Sequence, residues 1–342
     1  MTLKTFITPI RLTTLALYGL ALLAYALFFG DRVFEAWGYP DLLIAPIMAL
    51  GSFVAGSTFL GGGAVAFPAL TKILNADPST AKTFSLAIQS VGMTSASLYI
   101  LLRVRNIPWS FFWWYLPASF LGLSLSLFLF DDYLAATDLR IGFTLFVLIF
   151  LLVYLWAYGN KDTHYTDLPQ FSRMDKNLIL KSGLIGGLLA GLLGSGADLV
   201  GFCLLALYFR LDLKLATQCS VVLMASTSLV GACLQGTVLS EISEEVLNLW
   251  YIAAPVVLIG APIGAVFCRR VTSRNLLIFI STIVASELAS TLILVPIDPG
   301  RIGYYALLAL LSGTLLVALH KLSRQKTHEG QHPWFAHKSR DK

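Results

Sequence analysis

Apolar runs about twenty residues long recur along this whole chain, and a run of that length crosses roughly 30 Å of hydrocarbon as one helix. Eight are uninterrupted, at 12–29, 80–102, 109–130, 138–159, 214–239, 247–268, 275–295 and 302–319. Two more, 42–74 and 178–209, carry glycines in the middle. The composition agrees, with 57% hydrophobic and 13% charged residues, where a soluble domain has about 25% charged. The expected fold is an all-α polytopic membrane protein. A net charge of +5 is small and belongs to loops and a basic tail, so no nucleic-acid partner is expected. "MTLKTFITPIR" followed by an apolar run with "AYA" at 24–26 has features of a signal peptide. The run continues through Leu27, Phe28 and Phe29, which favours an uncleaved first helix.

The two interrupted stretches belong to a repeat. A shift of 135 positions puts Ala55 and Gly56 on Ala190 and Gly191, Gly61 on Gly196, Asp77 on Asp212, Ala81 on Ala216 and Ser85 on Ser220. With the shift grown to 138, Pro117 meets Pro255 and Gly122 meets Gly260. The chain therefore divides into an N-terminal helix and outer loop (1–41), a first repeat (42–159), a polar linker (160–177), a second repeat (178–297), a C-terminal helix (298–320) and a basic tail (321–342). Basic residues favour the cytoplasmic side of a membrane. If each interrupted stretch enters and returns on one side, and the N-terminus is cytoplasmic, only Arg32, Lys72, Lys82, Arg140 and Arg301 lie outside. If each crosses once, the basic residues divide almost evenly. Hairpins are therefore expected, with linker and both termini cytoplasmic in an inner membrane. Three crossings plus one hairpin make an odd unit, so the second repeat is inverted relative to the first. Their glycine tips then meet near the midplane, the plan of many secondary transporters.

The first tip reads "GGG" (61–63) and leads into a helix expected from Ala64, with Val65 and Pro68 in its first turns. Glycine allows a sharp turn and close approach of a ligand to the backbone. The new helix starts with unpaired N–H groups and a positive dipole end, which suit a small anion. Broken backbone at membrane depth is tolerated where it lines such a cavity. In the second stretch, "GLIGGLLAGLLG" (183–194) reads as small residues that let helices pack closely. The tip there is Ser195, Gly196 and Ala197, with the returning helix expected near Leu199.

"GSTFLGGGAVAFPALTKILNADPSTAKTFSLA" and "GLLAGLLGSGADLVGFCLLALYFRLDLKLATQCSVV" resemble the two signature regions of the TauE/SafE sulfite exporter family, over roughly residues 42 to 318. The resemblance implies ion-gradient-driven transport of small sulfur anions such as sulfite, sulfoacetate and other sulfonates. By position it extends to Gly61, Gly62, Gly63, Pro68, Ala81 and Ser85, and to Gly194, Gly196, Ala216 and Ser220. The second turn departs from the pattern. It reads Gly-Ala-Asp and lacks the following proline.

Two carboxylates fall inside spans, where ionisable residues are expensive and face the bundle interior. Asp198 stands at the start of the second returning helix, either as a helix cap or as the site that takes up a coupled proton. An ionised Asp198 would occupy the positive end that a substrate anion wants. Glu287 is either a hydrogen-bonded structural residue or a proton relay. Ser85 and Gln89 share a helix face, as do Ser220, Met224 and Thr227, and their polar groups suit either substrate or interhelical hydrogen bonds. Gln235 and Thr94 are weaker candidates.

Other classes fit less well. "GLLGSGAD" lacks the Gly-x-Ser-x-Gly order of a serine hydrolase, and Ser195 has no mid-membrane histidine as base. The four cysteines show no C-x-x-C spacing, so neither disulfides nor a metal site are expected; they read as buried small hydrophobes. No cofactor is implied. The remaining alternatives are an anion channel and a non-transporting sensor. The expected partners are a small anion, the lipid bilayer and, left open, a second copy of the chain.

Overall fold

The computed structural model describes residues 9–36, 43–61, 78–129, 136–158, 165–168, 170–294 and 299–328. The helices are α1 (Pro9–Ala36), α2 (Ile44–Ser57), α3 (Pro78–Arg103), α4 (Trp109–Leu129), α5 (Ala136–Tyr158), α6 (Arg173–Leu193), α7 (Ala197–Cys203), α8 (Leu213–Thr237), α9 (Glu244–Arg270), α10 (Ser273–Leu294) and α11 (Ile302–His328). Among the described residues, nine of these are long and apolar enough to cross a membrane. Eight coincide with the uninterrupted runs. The ninth is α6, the first leg of the second interrupted stretch.

Lipid supplies no hydrophobic drive for helix association, so close packing and buried polar contacts must hold the bundle together. The chain is accordingly apolar outside, and its apolar interior carries scattered buried polar groups. Leu27, Phe28, Trp113, Trp156 and Ile293 are exposed, whereas Ser85, Gln89, Ser119, Asp198, Gln218 and Ser220 are buried. Cys203, Cys219 and Cys268 are buried as expected, but Cys233 is exposed on α8. That face of the helix meets lipid, and a small apolar thiol is at no disadvantage there.

Small residues set the direction of each helix pair. A Cβ built on Gly187 would lie 1.9 Å from the Ser119 carbonyl oxygen, and one on Gly191 would lie 2.5 Å from Ser126 Cβ. Residue numbers rise together, so α6 runs parallel to α4 with backbones touching. The same holds for α2 on α9, where Gly260 faces Ala49 and Ser52, and Gly264 faces the Phe53 carbonyl. The pairs correspond under the repeat, since Gly122 faces the Leu184 carbonyl as Gly260 faces that of Ala49. The close-packing reading of 183–194 therefore holds.

Hydrogen bonds fix the remaining directions. Gln235 Nε2 donates to Thr83 Oγ1 and Ser97 Oγ to the Val221 carbonyl, so α3 and α8 are antiparallel. Trp250 Nε1 donates to the Ala87 carbonyl, and Gly92 faces Val257, so α3 and α9 are parallel. Tyr18 and Tyr25 hydroxyls donate to the carbonyls of Ser95 and Tyr251, setting α1 against α3 and α9. With α6 rising from the linker end of the bundle, α1, α4 and α8 rise with it, while α2, α3 and α9 descend. Thus α2 and α6 enter from opposite ends.

Helix α11 is tied to α5 at both ends. Arg301 pairs with Asp138, and the Tyr305 hydroxyl donates to the same carboxylate at 2.7 Å. At the linker end His320 Nδ1 lies 3.2 Å from the Tyr158 hydroxyl, which donates to the Leu207 carbonyl. The Tyr305 hydrogen bond, with Arg301 beside it, holds the Asp138 carboxyl below its ordinary value. A depressed carboxyl stabilises the fold above its unfolded pKa and loses that contribution as pH falls through the folded value. The clasp is therefore complete at neutral pH and releases only below the usual carboxylate range. Tyr305→Phe is expected to cost about 1 kcal/mol, read as a lower unfolding midpoint at pH 7, with the deficit shrinking in acid. An equal deficit at every pH would argue against the clasp.

Candidate functional site

The second interrupted stretch returns to the end from which it came. Its legs close at the base, where the Tyr208 hydroxyl donates to Asp175 Oδ1 at 2.7 Å. Asp175 also completes a capping box with Ser172 at the start of α6. Beyond the turn of π-helix at Leu204–Tyr208, Tyr165 N–H donates to the Arg210 carbonyl and Asp212 N–H to the Tyr165 carbonyl. The linker thus holds both ends of the hairpin together.

At the tip, Gly194 (φ 74°) and Gly196 (φ 150°) adopt backbone conformations that a side chain would strain. The hairpin reaches far. Leg α6 has 21 residues, about 31 Å at 1.5 Å per residue. A Cβ on Gly194 would sit 3.0 Å from Ser85 Cβ and 3.2 Å from the Lys82 carbonyl, only two turns into α3. The second tip therefore reaches the start of α3. The physical reason is the length of α6, which packs along most of α4 through Gly183, Gly187 and Gly191.

The first tip is described as far as Gly61, which is left-handed at φ 74°. Gly62, Gly63, Ala64, Val65 and Pro68 lie outside the described residues. A Cβ on Gly61 would lie 2.9 Å from Asp198 Oδ2 and 3.1 Å from Met224 Cε. One turn thus rests against the carboxylate of the other.

That carboxylate is buried, and its Oδ1 accepts from Gly196 N–H at 2.9 Å. The backbone N–H groups of Asp198 and Leu199 also face it. The amides that an anion would use at the second tip are therefore occupied by the chain's own side chain, as a cap occupies a helix start. Ser195 and Ala197 are buried beside it, and the Tyr115 hydroxyl donates to the Ala197 carbonyl at 2.6 Å.

Gln89 joins this cluster. Its Nε2 donates to Ser85 Oγ at 2.6 Å and to the Gly194 carbonyl at 3.0 Å. Ser85, Gln89, Gly194, Gly196, Asp198, Gly61 and Met224 are thus brought together. The hydroxyls of α8 turn elsewhere: Ser220 Oγ donates to the Thr217 carbonyl, and Thr227 Oγ1 to the Leu223 carbonyl. Glu287 stands apart in the seam of α5 and α10, where Thr144 Oγ1 donates to it across 3.4 Å. Gln235 lies near the start of α3, bonded to Thr83 and Glu241.

Two residues of this region escaped the sequence reading. Tyr115 is fully buried, its ring against Gly186 and Gly201. Lys82 counts only as an outer-side charge in the sequence, yet it is 7% exposed within α3. The signal for Lys82 was its spacing, since residues three and seven positions before Ser85 and Gln89 fall on their helix face.

No curated protein and no solved structure matches the chain. The family model of the sulfite exporter TauE/SafE matches residues 43–288, which hold both turns and both small-residue helix pairs. The match runs from the start of α2 into α10, and the chain therefore belongs to the TauE/SafE sulfite exporter family, a family of membrane transporters and not of enzymes.

Proposed function

We propose that this chain is a secondary carrier that moves a small organic or inorganic sulfur anion, with sulfite, sulfoacetate and other sulfonates as the candidate substrates. The observation that carries the reading is the contact between the turns, with the Asp198 carboxylate against Gly61. Substrate binds where the turns meet. From the sequence, Gly61, Gly62, Gly63, Ala64 and Val65 are the residues whose backbone amides would hold the anion, with Ser85 and Gln89, which meet Gly194 at the second tip, as its polar side-chain partners. At the second tip the Asp198 carboxylate accepts from Gly196 N–H and faces the amides of Asp198 and Leu199, so an anion gains access to them when that carboxylate is protonated. This makes Asp198 the coupling group, with Glu287 as a relay of lesser weight. Opposite directions of α2 and α6, with glycine contacts that correspond under the repeat, support two inverted halves.

The linker end of the bundle is the cytoplasmic end. Arg103, Arg173, Arg210, Lys214, Arg269 and Arg270 belong to helix ends there, as positive charge in the cytoplasm requires. The protein lies in an inner membrane with both termini on that side.

The test is uptake by full-length protein in proteoliposomes, with sulfite, thiosulfate and sulfoacetate as labelled anions. A carrier shows saturable uptake and counterflow, whereas uptake without counterflow argues for a channel. Gly61→Val forces a branched residue into left-handed backbone beside Asp198 and is expected to lower uptake at least about tenfold, the cost of roughly 1.4 kcal/mol of strain. Membrane insertion should be unchanged. Wild-type uptake by Gly61→Val would remove the turn from the substrate path.

A further inference from the structure

The side-chain carbonyl of Gln89 holds information that the anion reading leaves unused. Gln89 is 2% exposed, and both hydrogen bonds of its amide are made by Nε2. Its orientation is fixed, because the Gly194 carbonyl can only accept. Turning the amide over would set two carbonyl oxygens against each other. Oε1 is therefore a buried acceptor that no donor among the described residues satisfies. Buried polar atoms are nearly always paired, and an acceptor left bare beside a proposed binding site points to a ligand that fills it.

The neighbouring groups narrow the chemistry. Both N–H groups of the Gln89 amide are taken, by Ser85 Oγ and the Gly194 carbonyl, so Oε1 is the polar atom of this side chain left for a ligand, and an acceptor calls for a donor. With a small sulfur anion as the cargo, a ligand that meets Oε1 is an oxyanion that keeps one O–H.

Resting on the carrier reading above, we propose that Gln89 Oε1 is a specificity determinant, and that the site takes a singly charged sulfur oxyanion bearing its own hydrogen-bond donor. Hydrogensulfite and hydroxyalkanesulfonates belong to this class; simple alkanesulfonates do not. A ligand without a donor leaves Oε1 bare inside a dry site. Sites built to bond a hydroxyl reject the analogue that lacks it far more strongly than apolar pockets reject a size mismatch.

The experiment is isothermal titration of the full-length protein with 2-hydroxyethanesulfonate and propanesulfonate, which have nearly the same size. The hydroxyl-bearing anion is expected to bind at least about tenfold tighter to wild type. Gln89→Met keeps the side-chain length and removes the acceptor; its two affinities should agree within about twofold. Equal affinities in wild type would mean that solvent or another group serves Oε1, and would overturn this inference while leaving the anion reading standing. A preference that survives in Gln89→Met would also overturn it. If neither sulfonate nor sulfite binds, the carrier reading falls as well. The wild-type comparison decides the matter even if Gln89→Met does not fold.

Discussion

Gly187→Leu is expected to yield no stable folded protein. A Cβ at this position would lie 1.9 Å from the Ser119 carbonyl oxygen and 2.8 Å from the Leu123 nitrogen. Both neighbours are backbone atoms of a 21-residue helix, so no rotamer change relieves the clash. Accommodating leucine means prising α6 from α4 along a contact that also includes Gly183, Gly191 and Gly122. Overpacking of side chains costs about 1–3 kcal/mol; this contact, backbone on backbone, belongs at or above the top of that range. Gly264→Leu should behave alike, since its Cβ would lie 2.2 Å from the Phe53 carbonyl oxygen in the corresponding pair. Gly303, with no atom within 4 Å of a built Cβ, is the control and should tolerate leucine. Size-exclusion profiles and unfolding midpoints in detergent measure all three. A wild-type midpoint for Gly187→Leu would mean that α4 and α6 are not in backbone contact.

The second large effect concerns coupling. Asp198→Asn is nearly isosteric, and its side-chain oxygen can still accept from Gly196 N–H, so the turn should keep its shape. What it loses is the ability to take up and release a proton. Under the carrier reading, accumulation driven by a pH gradient should fall at least about tenfold, while exchange of anion for anion at equal pH persists. Glu287→Gln should affect gradient-driven accumulation much less, because Glu287 lies in the α5–α10 seam and not between the turns. Parallel measurements of gradient-driven uptake and counterflow separate these outcomes. If Asp198→Asn accumulates anion with the full pH dependence of the wild type, the proton is carried elsewhere. Asp198→Leu is the complementary variant. It leaves Gly196 N–H without its acceptor, so a fall in its unfolding midpoint reports the structural share of Asp198.

The span pattern was legible because hydrocarbon thickness imposes a length on each crossing helix. The proposed repeat has a physical counterpart in the glycine contacts, since Gly122 meets the Leu184 carbonyl as Gly260 meets that of Ala49. Asp198 could be identified as a problem before any geometry was known, since a carboxylate at a helix start competes with an anion. Its answer could not, because the answer depends on where one hydrogen bond goes. Gly196 N–H donates to Asp198 Oδ1, and no spacing rule specifies that choice among a cap, a ligand and water.

Lys82 shows the same limit from another side. In the sequence it follows a loop-like stretch and resembles a boundary residue. In the bundle it is buried, because the second hairpin extends past the middle and covers the start of α3. Ser220 is the converse case. Its place under the repeat left substrate and interhelical bonds equally open, and its hydroxyl donates to the Thr217 carbonyl of its own helix, as a serine within a helix can.

By itself, then, the sequence determined what depends on local composition and length: an all-helical bundle of membrane-crossing helices and the family to which the chain belongs. Tertiary structure alone decided how deep the turns reach, which amides are already occupied, and which acceptor is left bare. Those are properties of residues some hundred positions apart in the chain, such as Gln89 and Gly194, whose meeting is fixed by the packing of whole helices and written in no single segment.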